Sequence, residues 1–260
     1  MPDTSPLSPA EALFLLKPNR TPGFRTVRVT LLSLLAKGIL RIEESIEPGV
    51  FRDRKIPHLR IEAQPSGAPP HVAALLDVVT AAQSEGGRVR DVVKRASTEF
   101  GANCALYNSR FIVPALIGRG LIEERRILLL RSWRATPAGE AERGRIEAAI
   151  ATARQLPKLL KSDPEEAAAL ALALGGTLLL VDGLHRHYQQ LAEVMRSRGG
   201  DTGLSDGFGG GDFSAGFDLS CFDAGSFASL DACIGSFDSG FSDGGGDGGG
   251  GDSGGGGGGE

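Results

Sequence analysis

Cysteine is scarce in this chain: Cys104, Cys221 and Cys233 among 260 residues, with no Cys-x-x-Cys pair. An odd count at wide spacing excludes a disulfide framework and a zinc ribbon. Long apolar runs are lacking too. The longest, AAALALALGGTLLLV (167–181), has fifteen residues and then meets Asp182, whereas a bilayer span needs roughly twenty. The N-terminus MPDTSPLSPAEALFLLK has no basic n-region, and its apolar ALFLL is too short for a signal peptide. The expectation is a cytoplasmic protein with no transmembrane segment, in which 167–181 forms a buried helix.

Motifs that carry chemistry are missing as well. There is no GxxxxGK[ST] and no GxGxxG between a strand and a helix; there is no GxSxG elbow and no HExxH. His185 and His187 are two apart, on different faces of a helix rather than at the three- or four-residue spacing of a metal pair. His58 and His71 have no acidic or cysteine companion at a useful spacing. GGGDGGGGD (244–252) misses both the register and the large apolar position of a calcium-binding nonapeptide repeat. These absences point away from an enzyme, with no catalytic residue, cofactor or metal site expected.

Basic residues are absent from one end. Residues 201–260 hold ten Asp, Glu260 and no Lys or Arg, a charge of −11, while the 28 basic and 21 acidic residues of 1–200 give +7. A mildly basic body thus carries an acidic tail, a balance that permits an anionic partner and equally permits the tail to fold back on its own body. Glycine dominates from Gly199 onward, so disorder is the expectation there. Phe208, Phe213, Phe217, Phe222, Phe227, Phe237 and Phe241 recur along it, several beside Asp. Isolated aromatics on such a chain suit weak, repeated contacts with a partner or with other tails.

The first 198 residues are rich in helix signals. Ser8-Pro9-Ala10-Glu11 has the form of a capping box and opens a helix to about Lys17. A second helix, about Arg25 to Lys37, carries Val27, Leu31, Leu34 and Leu35 on one face. Gly38 suits a left-handed turn, ILRIEES (39–45) alternates as a half-buried strand, and HLRIEA (58–63) can return beside it after Pro48-Gly49. QPSGAPP (64–70) reads as a linker. Beyond it, HVAALLDVVTAAQ and RVRDVVKRAS form two amphipathic helices, and a third, about Asn103 to Gly118, leads into strands LIEERRI and LLLRSWRA. LLAKGILRIEE (34–44) and LIGRGLIEERR (116–126) are one junction written twice: helix, cation, glycine, strand. Residues 137–198 read as helix throughout, restarted by Asp163-Pro164-Glu165-Glu166 and running on past Gly175-Gly176.

The expected fold is therefore mainly α with small β-hairpins (α+β). It comprises a reduced winged-helix-like unit over 1–63, a winged-helix-like unit over 71–136, a helical region over 137–198 and a disordered Gly/Asp/Phe-rich tail over 199–260. A winged helix commonly reads the major groove through its last helix. The first unit's candidate is too apolar for this, since Val29 and Leu32 lie off its core stripe. The second places Asn103, Tyr107 and Arg110 on one face, with Pro114 expected to kink it. Arg110, Arg119, Arg125 and Arg126 are the candidate contacts to nucleic acid or another anion, and an anionic membrane surface would use the same residues.

LSPAEALFLL…TLLSLLAKGILRIEE, ATPAGEAER (135–143) and EEAAALALALGG (165–176), with the Gly-rich end, resemble the cytosolic region of a family of bacterial predicted membrane proteins, domain of unknown function 2207. The likeness spans most of residues 7–195. It implies fold and tail more than activity, because that family's function is itself unknown. Its members carry membrane spans, which this chain lacks. Together the residues and the resemblance predict a non-enzymatic interaction or scaffold protein that meets a protein partner or itself, with a winged-helix DNA-binding regulator as the alternative.

Overall fold

The computed structural model describes residues 6–48, 53–127, 130–181 and 183–199. The chain is mainly helical with two small antiparallel hairpins. Helix α1 (Pro9–Leu16) begins at the expected capping box: Glu11 N–H donates to Ser8 Oγ at 3.3 Å, and Ser8 N–H donates to the Glu11 carboxylate at 2.8 Å. Helix α2 (Gly23–Ala36) follows and buries Val29 and Leu32 as well as Val27, Leu31, Leu34 and Leu35. It is enclosed on two sides and offers no face to a groove. Strands β1 (Leu40–Glu47) and β2 (Arg54–Ile61) pair with Leu40 opposite Ile61. Strand β2 starts earlier than HLRIEA suggests and runs through Pro57. The ladder tolerates this because Leu59 N–H, two residues on, points away from β1 to the Gly87 carbonyl, so the missing donor of Pro57 lies on that outer side too.

The second unit comprises α3 (Pro70–Gln83), α4 (Val89–Phe100), a 3-10 turn (Ala102–Cys104), α5 (Ala105–Tyr107), a π-turn (Asn108–Ile112), α6 (Val113–Gly118), β3 (Ile122–Ile127) and β4 (Leu130–Ala135). Two expectations change here. The helix begins at Ala105 rather than Asn103, because Asn103 and Cys104 both take left-handed backbone angles, φ 54° and 53°. The disturbance expected at Pro114 appears one turn earlier as the π-turn. Pro114 has no N–H for the carbonyl four residues back, and Val113 N–H reaches five residues back to Asn108. The widened turn brings Tyr107 and Ile112 to the same buried face, five residues apart.

The repeated junction is repeated bond for bond. Gly38 N–H donates to Leu35 at 3.0 Å and Ile39 N–H to Leu34 at 3.0 Å; Gly120 N–H donates to Ile117 at 2.8 Å and Leu121 N–H to Leu116 at 2.9 Å. Both are Schellman turns, with the glycines at φ 65° and 69°. Each hairpin is then closed alike, by Glu62 N–H to Ile39 and Thr136 N–H to Leu121.

Helix α7 (Pro137–Ala153) is capped by Thr136, whose Oγ1 accepts from Gly139 N–H at 3.1 Å. Helices α8 (Leu156–Ser162) and α9 (Pro164–Leu174) follow, the latter capped by Asp163. The expected continuation past Gly175-Gly176 as one helix does not occur. Gly175 turns to φ 51°, and the chain proceeds as 3-10 turns, Gly175–Leu180 and Leu184–His187, before α10 (Tyr188–Gly199). Helix α9 is also not covered all round: Ala167, Ala168 and Ala171 are buried, while Leu172 is 52% exposed.

All these elements enclose a single buried cluster running from Ala10 to Ala192. The two units are joined by a reciprocal contact. Strand β2 of the first is met on its outer edge by the α3–α4 turn of the second, where Leu59 N–H donates to Gly87 and His58 Nδ1 donates to the Gly86 carbonyl, while Arg88 pairs with Glu47 at the end of β1. Strand β4 of the second is bonded along its outer edge by the α1–α2 turn of the first. There Asn19 Nδ2 donates to the Trp133 carbonyl and Trp133 N–H donates to Asn19 Oδ1, each at 2.8 Å. The outer edges of β2 and β4 are thus each bonded, at Leu59 and at Trp133, by the corresponding turn of the other unit.

Candidate functional site

The second unit's composite helix, 105–118, faces two ways. Inward it buries Tyr107, Asn108, Ile112, Val113 and Leu116. The Tyr107 hydroxyl donates to the His71 carbonyl at 2.9 Å and lies 3.1 Å from Thr30 Oγ1; its ring packs against Phe100 and Phe111. Asn108 Nδ2 donates to the Thr21 carbonyl at 3.0 Å, and its oxygen accepts from Thr26. Burial pushes the Tyr107 phenol well above its usual range, against the hydrogen bond with Thr30. Tyr107 therefore does not share an exposed face with Asn103 and Arg110 as the sequence suggested. It is part of the polar seam between the units, and Asn103 lies outside the helix.

Outward, the same helix presents Leu106, 40% exposed, and Ile117, 43% exposed, with exposed Arg110 and Pro114 between them. A groove-reading helix needs donors and acceptors aimed at base edges; this face is mostly apolar.

The four candidate arginines occupy three settings. Arg110 stands on that outward helix face. Arg119 follows α6 and is half-buried, its charge felt by His71. Arg125 and Arg126 are exposed neighbours on β3 and so point to opposite faces of the hairpin. Arg126 pairs with Glu124 at 3.2 Å, and Arg131 approaches the same carboxylate at 3.6 Å. One acid thus neutralises part of the wing. The seven tail phenylalanines, Phe208 to Phe241, lie outside the described residues.

His71 gathers charge that its sequence neighbours do not announce. It is buried in the first turn of α3, and burial lowers its pKa from the ordinary value. Glu11 acts in the opposite direction, while Lys37 and Arg119 add to the lowering. Those two cations are the residues that precede Gly38 and Gly120, so both copies of the junction bring their charge to one imidazole. The signal available in the sequence was the cation–glycine pair itself; its meeting point, Glu11 beside His71, depends on tertiary packing.

A second histidine sits at the surface. His58 Nδ1 donates to Gly86, which leaves Nε2 to accept from Ser45 Oγ at 2.8 Å. The pair lines an open groove with Glu43, Arg60 and Gln83, in which Arg60 is already engaged by Glu43 at 3.2 Å. Its visible role is to hold the first hairpin to the α3–α4 turn. No group of three or more metal-ligating side chains occurs among the described residues, and no helix among them is long and apolar enough to cross a membrane.

No protein-family model matches the chain, and no curated protein or solved structure matches it significantly.

Proposed function

We propose that this protein is a non-enzymatic interaction protein, a compact two-unit scaffold whose acidic Phe/Asp segment engages a partner or regulates the body. The observation that carries the reading is the outward face of 105–118. Where a winged helix that reads DNA carries polar side chains, this one carries Leu106, Pro114 and Ile117 around Arg110. The partial neutralisation of the wing by Glu124 supports the same reading. The few, widely spaced cysteines support a reducing, cytoplasmic setting. The LSPAE opening and Gly-rich end support kinship with domain of unknown function 2207 on those motifs alone, without its membrane anchoring.

The test uses the full chain and a variant in which Phe213, Phe217 and Phe222 are replaced by Ser. Sedimentation and chemical crosslinking should differ between the two. Identical sedimentation and identical crosslinked species overturn the reading. Fluorescence anisotropy with duplex DNA decides the competing reading: tight binding at low salt that falls steeply with added salt and is lost in Arg125→Glu/Arg126→Glu establishes a DNA-binding regulator instead.

A further inference from the structure

We propose that the outer edge of strand β1 pairs with β1 of a second copy of the chain, antiparallel and centred on Glu44, to make one continuous sheet across a dimer. This surface is separate from the acidic segment of the proposed function and goes beyond it. Leu59 N–H leaves β2 for Gly87, so Ile42 and Leu59 face each other without exchanging bonds. By alternation Leu40, Ile42, Glu44 and Ile46 aim their backbone groups away from β2. Among the described residues no backbone bond reaches Leu40, Ile42 or Ile46 from that side, and each sheet has two strands. The usual protections of an edge are missing as well. Strand β1 pairs with β2 residue for residue, without a bulge, and LRIEESIE holds neither Lys nor Pro. Its acids are balanced nearby: Glu43 by Arg60, Glu44 by Lys55 at 2.9 Å, and Glu47 by Arg88.

The side chains of β1 select both the occupant and the register. On the face shared by its even-numbered residues, Leu40 and Ile42 are buried, whereas Ile46 is 67% exposed. A second β1 running the opposite way about Glu44 sets each Ile46 beside Ile42 of the other copy. The exposed end of one strand then lies against the buried end of the other. Arg41 falls opposite Glu47 of the other copy, and the symmetry makes this pair twice. The Glu47 carboxylate has two oxygens, so it can accept from Arg41 while Arg88 holds it. The two Glu44 side chains that meet at the centre are each held by Lys55. Centring the pair on Glu43 or on Ser45 instead sets Glu43 against Glu43 or against Glu47. Opposite charges across strands stabilise and like charges destabilise. Residues 201–260 are a poorer occupant, because they bring no cation to the acids of β1 and glycine is depleted in strands.

The test combines analytical ultracentrifugation of the full chain at rising concentration with engineered disulfides. The contact is small, so a weak dimer that grows with concentration is expected. Ile46→Lys should abolish it with an unchanged circular dichroism spectrum, because Ile46 is at the surface. In a full chain carrying Cys221→Ser and Cys233→Ser, Glu44→Cys puts two thiols on facing residues. Their Cα atoms are then about 5.5 Å apart, within disulfide range. Arg41→Cys in the same background leaves the two thiols about 20 Å apart along the strands. Mild oxidation should link Glu44→Cys chains many-fold faster than Arg41→Cys chains. A monomer at every concentration overturns the pairing, as does a dimer that survives Ile46→Lys or equal linking at the two positions. The Glu44→Cys link should persist when Phe213, Phe217 and Phe222 are replaced by Ser. Its loss with those phenylalanines overturns the β1 pairing while leaving the proposed function standing.

Discussion

The Asn19 carboxamide pairs with both backbone groups of Trp133, donating to its carbonyl and accepting from its N–H, each at 2.8 Å. A side chain from the turn after α1 thereby does for β4 what a third strand would do. The contact also ties the two units across 114 residues of sequence. Replacing Asn19 with Ala should destabilise the fold by about 1–2 kcal/mol, the worth of two partly solvated hydrogen bonds. It should also expose the edge of β4 to pairing with another chain. Urea denaturation measures the first effect, and sedimentation at increasing concentration measures the second.

Acid should weaken the protein through His71. Its folded pKa is held below the unfolded value of about 6.5, chiefly by burial, so the unfolded chain takes up the proton first. The stability it contributes is complete above about pH 6.5 and is lost as pH falls below that value. In His71→Gln this part of the loss should disappear, giving a flatter urea midpoint between about pH 7 and 5. An equal slope in both proteins rules out His71 as the source.

Two glycines should respond in opposite ways. A Cβ on Gly23 would stand 1.8 Å from the Cys104 carbonyl oxygen, backbone that cannot move aside cheaply. Gly23→Ala should cost about 3 kcal/mol. A Cβ on Gly144, within α7, meets nothing within 4 Å. Gly144→Ala should add about 0.5–1 kcal/mol through helix propensity. Thermal midpoints of the two variants should move in opposite directions.

Cys104 should be inert. It is fully buried, and burial pushes its thiol up to about 12 despite a hydrogen bond with Ser97. Peptide-level mass spectrometry after maleimide treatment near pH 8 should find Cys104 unmodified in the native protein and labelled in denaturant. Native labelling comparable to the denatured sample would contradict its placement.

The parts of this molecule that were legible in the sequence are those whose cause is local. Ser8 and Glu11 announce a cap because the bonds span three residues, and Gly38 and Gly120 announce turns because a side chain there is strained. The stripe of Val27, Leu31, Leu34 and Leu35 announces a buried face through periodicity alone. Tyr107 was misread because an amphipathic phenol gives no sign of whether its hydroxyl meets water or, as here, a carbonyl on α3. The π-turn was half legible: Pro114 signalled a disturbance, but whether the backbone bends or widens depends on what must be buried beside it. The convergence of Lys37 and Arg119 on His71, like the Asn19–Trp133 pair, joins positions too far apart for any local pattern to report.

The reciprocal bonding of β2 and β4 by the two turns also sets a timetable for synthesis. The first hairpin is complete at Ile61, yet its edge stays open until Gly86 and Gly87 have been made. Asn19 has no strand to meet until Trp133, 114 residues later, which at roughly 5–20 residues per second is about 6–23 s. The N-terminal half therefore emerges from the ribosome unfinished and becomes whole only when the C-terminal unit arrives to close it.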